Sequence, residues 1–259
     1  MAVGAAAAGL VVLGRLVAAR PTAWAAAVAF TVLPRTLWSA VEARSYALTA
    51  AAAVWLTVVL VIAATRRGSA LWALYGLVLA LAIVCFVYLA LLVFAHAVTL
   101  ALSWKRRQLL PFAFAVAVGL SLASPLIALT AGQRQHQLWW INEGGYLTGV
   151  FWEQWLTGSR LFLCASVILL VWGSVVLVTR KVSAGEALAV AVRWVVVPTA
   201  LLVGYSVLVS DIYHPRYLTY TGPGLGLLLG FALRPLRGTD RESWRCCWRC
   251  SRSVQALRS

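Results

Sequence analysis

Asp211, His214 and Arg216 crowd into the segment Ser210-Asp-Ile-Tyr-His-Pro-Arg-Tyr217, with Tyr213 and Tyr217 beside them. A planar guanidinium bonds phosphate bidentately, and an imidazole can add a hydrogen bond or carry a proton near neutral pH. Pro215 fixes the turn and biases His214 toward an extended backbone. The same residues also suit a plainer role, a capped turn closed by an Asp211–Arg216 pair. A second segment, Glu42-Ala-Arg-Ser-Tyr46, sits between two apolar runs. A Glu and an Arg at the mouth of an apolar hairpin are costly unless paired or wet, so a functional purpose is the default expectation. An interfacial salt bridge, with Tyr46 as a belt residue, is the alternative. The third segment, residues 133–158, sets Trp139, Trp140, Trp152 and Trp155 among Gln133, Arg134, Gln135, His136, Gln137, Glu143 and Glu153. Aromatic faces with amides and carboxylates suit carbohydrate, and they equally suit a segment lying in the headgroup region.

Other signals fall short of a site. His96 lies within an apolar run and reads as a lone histidine satisfied by its neighbours. Cys247-Trp-Arg-Cys250, with Cys246 adjacent, has CxxC spacing but no second ligand pair nearby, and a structural zinc site needs four ligands. No metal or other cofactor is expected. Gly222-Pro-Gly-Leu-Gly226 begins an apolar run and follows no strand, so it reads as a packing or kink feature and not as a phosphate loop. Neither a GxSxG nor a Walker pattern occurs.

The elements that must position these residues are membrane helices. Of 259 residues, 63% are hydrophobic and 11% charged, with a mean hydropathy of +0.88. Soluble domains are nearer half apolar and a quarter charged. Apolar runs of this length, without a two-residue alternation, predict spanning helices. The first run has no basic stretch before it and further spans follow, unlike a cleaved signal peptide. Spans are expected at 2–19, 23–40, 46–64, 71–86, 87–103, 109–130, 159–179, 188–209 and 217–233. From Arg67 to Lys105 about 33 apolar residues would make about 50 Å of helix, too long for one crossing. Two short crossings hinged at Cys85–Tyr88 are expected instead.

The net charge of +15 follows from loops held at one face, with no nucleic-acid partner implied. By the positive-inside rule, Arg66-Arg67, Lys105-Arg106-Arg107, Arg180-Lys181 and the tail from Arg234 share the cytoplasmic side. Of 22 basic residues, only Arg35, Arg44, Arg134, Arg160 and Arg216 then lie outside. The expected protein is all-α: a polytopic transmembrane bundle of about nine spans in a cell membrane. Its N-terminus is outside and its C-terminus cytoplasmic. Residues 1–233 form one helical domain with an external loop at 131–158, and 234–259 a basic cytoplasmic tail. Cys85 and Cys164 sit in spans, and the tail cysteines face a reducing compartment, so no disulfide is implied.

At the two external turns the sequence resembles a known family. Glu42-Ala-Arg-Ser-Tyr-Ala-Leu48 is similar to the "EARxYAL" signature of C-type (GT-C) membrane glycosyltransferases. His214-Pro-Arg-Tyr-Leu218, followed by Thr221-Gly-Pro, resembles their "PRYL…P" motif. Cys85-Phe-Val-Tyr88 stands where relatives have a break joining two short spans. Gln137-Leu-Trp-Trp-Ile141 resembles the opening of their large external loop. The ordered set covers about residues 8–233.

The resemblance implies a sugar, often mannose or arabinose, taken from a polyprenyl-phosphate donor and passed to a lipid, glycan or protein on the outer face. It implies that Arg44 and Arg216 hold the donor phosphate, with Tyr46, His214 and Tyr217 lining the same pocket. Gln137, Trp139, Trp140 and Glu143 fall in the implied sugar or acceptor loop. Membrane lipids and the lipid-linked donor are the expected partners. The family's catalytic carboxylate lies in a loop after a first span that this chain does not show. Asp211 and Glu42 are the stand-in candidates, and the expectation is a fragment that binds lipid phosphate without transferring sugar. A positioned base typically contributes about 10²–10⁴-fold. The tail Asp240-Arg-Glu-Ser-Trp-Arg-Cys-Cys-Trp-Arg-Cys250 is the kind a shifted frame or early stop would leave. The alternatives are a non-catalytic membrane protein that binds or moves a lipid-linked sugar, and a transporter. Transport sites form mid-membrane, whereas the charges here sit at the outer mouth.

Overall fold

The computed structural model describes residues 1–42, 44–66, 68–103, 106–132, 146, 149–157, 159–179 and 185–233. Arg67, Lys105, Arg180, Lys181, residues 133–145 and the tail 234–259 lie outside them. Every regular element among the described residues is helical, as the apolar runs require. Ten α-helices follow in order: α1 (Ala2–Val17), α2 (Arg20–Val32), α3 (Pro34–Val41), α4 (Tyr46–Arg66), α5 (Ser69–Cys85), α6 (Leu91–Leu102), α7 (Leu109–Gly132), α8 (Arg160–Thr179), α9 (Gly185–Leu208) and α10 (Gly222–Ala232). Between them lie 3-10 turns at Val87–Ala90, Arg106–Gln108 and Pro215–Thr221, and a π-turn at Gly149–Glu153.

Prolines set two of the boundaries. Leu33 is extended (φ −60°, ψ 132°) because Pro34 follows it, and α2 and α3 meet at a bend of 61°. Pro223 lies in the first turn of α10, where its missing N–H costs nothing. Among the described residues three helices are long and apolar enough to cross a membrane, within Tyr46–Arg66, Arg106–Thr130 and Leu188–Leu208. A fourth is added if the bent pair α2–α3 counts as one span. Four shorter apolar helices accompany them. The outward surface is apolar: Leu110 is 83%, Phe114 74% and Leu161 77% exposed, as befits helices that face hydrocarbon and not water.

Where helices meet, small residues let backbones touch. A Cβ at Gly226 or Gly230 of α10 would stand 2.8 or 2.7 Å from atoms of α2. Gly76 of α5 likewise abuts Ala115 of α7, and Gly14 of α1 abuts Ala23 of α2. The glycine-rich start of α10 is therefore a packing surface, as its sequence suggested.

The hinge expected at Cys85–Tyr88 is present. Helix α5 ends at Cys85, Phe86 is extended (φ −166°, ψ 111°), and a 3-10 turn leads into α6. Tyr75 and His96 lie on either side of it and meet through a 2.8 Å bond. A straight helix would hold them about 31 Å apart, so the chain folds back as a hairpin. The Thr57 hydroxyl donates to the Ala53 carbonyl at 2.8 Å. Its oxygen is left to accept from His96 Nε2–H at 3.1 Å, and Nδ1 accepts from the Tyr75 hydroxyl. His96 is thus fully bonded by α4 and α5, a tie between helices.

Candidate anion site at one end of the bundle

Five elements converge where α3 ends, α4 begins, the α5–α6 hairpin turns, and the 149–153 and 215–221 turns close over them. Tyr46 opens α4 and is buried, 5% exposed. Its ring lies 5.5 Å from Trp38 and 6.2 Å from Phe86. Tyr46 is therefore part of the core of this end, not the belt residue that its sequence also allowed. Phe86 leans on Tyr88 and Tyr217, and those two tyrosines stack at 4.7 Å with an interplanar angle of 13°. His214 lies 5.6 Å from Tyr217. The result is a continuous aromatic floor.

Three arginines stand on it. Arg216 sits over the Trp38 ring at 5.3 Å, and Arg35 over the same ring at 4.9 Å. Arg44 pairs with Glu42 at 3.7 Å and is open to solvent, its side chain 63% exposed. Hydrogen bonding to Tyr46 is the main influence holding the Arg44 guanidinium above its ordinary range. Among the described residues this is the one ion pair. The Asp211–Arg216 pair that the sequence allowed is absent: the Tyr146 hydroxyl donates to Asp211 instead, and Arg216 turns to Trp38.

His214 is extended before Pro215 (φ −138°, ψ 134°), as expected of a residue preceding proline. Its Nδ1 accepts from the Arg216 N–H at 3.2 Å. Burial, and then the charges of Arg216, Arg35 and Arg44, push its pKa down to about 4. At neutral pH the imidazole is therefore uncharged, and His214 contributes hydrogen bonding, not positive charge. Burial also raises the Tyr213 hydroxyl, with the Glu153 charge adding to it.

Arg35 is the residue sequence reasoning left out of the site. It is 6% exposed and held by the 149–155 segment. Its Nε donates to the Gln154 carbonyl at 3.2 Å, its Nη2 to the Glu153 carbonyl, and its backbone N–H to the Trp155 carbonyl at 3.1 Å. Gln154 is itself fully buried. It donates to Thr199 at 3.0 Å and Thr221 at 3.2 Å, and accepts from the Tyr213 hydroxyl at 3.2 Å. One signal for Arg35 was legible: an Arg directly after Pro34, inside an apolar run assigned as a span, is a functional candidate by default. Trp38 and Gln154 carried no comparable signal.

Of the residues singled out from sequence, the structure thus brings together Glu42, Arg44, Tyr46, His214, Arg216 and Tyr217. Asp211 turns to Tyr146, and Gln137, Trp139, Trp140 and Glu143 lie outside the described residues. Among the described residues no group of three or more His, Cys, Asp or Glu is placed to hold a metal ion. What the arrangement can do is bind an anion on an aromatic surface at the end of an apolar bundle. No family model, curated protein or solved structure matches the chain.

Proposed function

We propose that this protein is a C-type membrane glycosyltransferase-like protein, of the mannosyltransferase kind, that holds the phosphate of a polyprenyl-phosphate-linked sugar at the outer face of a cell membrane. In this proposal nine apolar helical segments cross the bilayer, counting α2 with α3 as one and the 215–221 turn with α10 as another. The N-terminus is then outside and the tail cytoplasmic. The single observation that carries the proposal is the gathering of Arg35, Arg44 and Arg216 with His214 on one aromatic floor, where among the described residues Glu42 is the one carboxylate in ion-pair range. Guanidinium groups at that place can bond a lipid phosphate bidentately and stabilise charge that grows on it, while the prenyl chain lies along the apolar surface.

One observation favours a second form of the proposal, binding without transfer. The carboxylates described near the cluster are already engaged or turned outward: Glu42 pairs with Arg44, Asp211 accepts from Tyr146, and Glu153 is exposed. The test is direct. Purified protein in lipid nanodiscs is titrated with polyprenyl phosphate, and Arg216→Ala is expected to weaken binding by a factor of ten or more, since a charged hydrogen bond is worth about 1.5–3 kcal/mol. Unchanged binding would remove Arg216 from this role. Sugar transfer by the same protein, lost in Asp211→Asn or Glu42→Gln, would decide for catalysis over binding alone.

A further inference from the structure

Arg35 and Arg216 share one indole, so their charges are no farther apart than the two ring distances, 4.9 and 5.3 Å, laid end to end. Arg35 is buried and Arg216 half-buried beside the same ring. Two like charges over one ring, one buried and the other half-buried, are stabilised by a counter-charge. The protein supplies little of it. Carbonyls of the 149–155 segment hold Arg35, but they bring dipoles and no net charge. Glu42 is taken by Arg44, and that pair is wet and largely self-cancelling. Glu153 is the remaining acid near Arg35 among the described residues. Its side chain is exposed, and among the described residues it forms no ion pair, so solvent screens it.

What remains is a +2 pair of guanidinium groups with no carboxylate among the described residues in ion-pair range. We propose that Arg35, Arg216 and Trp38 form the anion-binding element of this site, and that it selects a doubly charged phosphate monoester over a singly charged phosphodiester. This rests on the phosphate-binding role above and deepens it: the preferred ligand is the lipid phosphate monoester itself, more than its sugar-bearing diester. Among the described residues, the other titratable groups facing the pair are Tyr46, Tyr213, His214 and Tyr217. His214 stays neutral well above a pKa of about 4, so the ligand's own second ionisation, near pH 6, sets the pH dependence.

The experiment measures binding of three ligands to the full chain in nanodiscs: polyprenyl monophosphate, its methyl phosphodiester and inorganic phosphate. At about pH 7.5 the monoester is expected to bind roughly tenfold tighter, a modest effect for one added charge beside two partly buried cations. At about pH 5, below the phosphate's second pKa, the difference should vanish. Arg216→Gln should erase the preference at the higher pH, and Arg35→Gln provides the second variant. Equal affinities at about pH 7.5 would overturn the selectivity while leaving lipid-phosphate binding intact. Binding of neither lipid, with inorganic phosphate still bound more tightly as pH rises, would keep the two-arginine element and overturn the lipid as its ligand. Absence of binding by all three would overturn both.

Discussion

Arg35 is a cation placed where water scarcely reaches, and backbone carbonyls satisfy it where a carboxylate would be expected. That choice leaves its charge available to a ligand, whereas a buried ion pair would have consumed it. His214 is the complementary case. Burial and three nearby arginines hold it neutral, with a pKa lowered to about 4 from an ordinary 6.5. The sign follows directly: below pH 6.5 the unfolded chain binds a proton that the folded site refuses, so the fold loses stability as pH falls from 6.5 toward about 4. His214→Asn keeps an acceptor for the Arg216 N–H two residues on. It is expected to flatten that part of the curve of Tm against pH, and an identical curve in wild type and variant would refute the shift.

Helix packing here depends on residues too small to keep backbones apart. Gly230 of α10 rests against the backbone of α2 at Ala26, where an added Cβ would lie 2.7–2.8 Å from three atoms. Gly230→Leu is therefore expected to destabilise the protein by about 1–3 kcal/mol or more. Gly204 in α9 has nothing within 4 Å of its Cβ position. Gly204→Ala should be neutral or stabilise by up to about 1 kcal/mol. Thermal unfolding of both variants in one detergent checks the contrast, and equal losses would mean the α2–α10 contact is not what holds α10. The hinge at 85–90 shows how an element boundary could be reached from sequence by length alone: a run too long for one crossing has to fold back, and it does.

For the whole molecule, the exposed arginines sort to two ends. Arg44 stands at the aromatic end, while Arg66 and Arg106 lie at the far ends of α4 and α6. By the positive-inside rule the aromatic end should face outward. Ser45 and Ser69 are exposed at opposite ends of this bundle. In a background with all five cysteines replaced, Ser45→Cys should react with a membrane-impermeant maleimide on intact cells. Ser69→Cys should react only after permeabilisation, and the reverse pattern would invert the proposed topology.

Sequence alone determined that the chain is helical and roughly where its helices run, and it named Arg44, Tyr46, His214, Arg216 and Tyr217 as one set of candidates. Hydrocarbon compels backbone groups to bond within a segment, so composition and run length are close to sufficient for the first two. Motif resemblance supplied the third. Only the tertiary structure decided that Arg35 joins them, that Trp38 lies under two guanidinium groups, and that Asp211 turns away to Tyr146. Those outcomes depend on which helix faces touch and on where a loop's carbonyls point. Such relations are between residues as far apart as Arg35 and Gln154, and no local pattern encodes them.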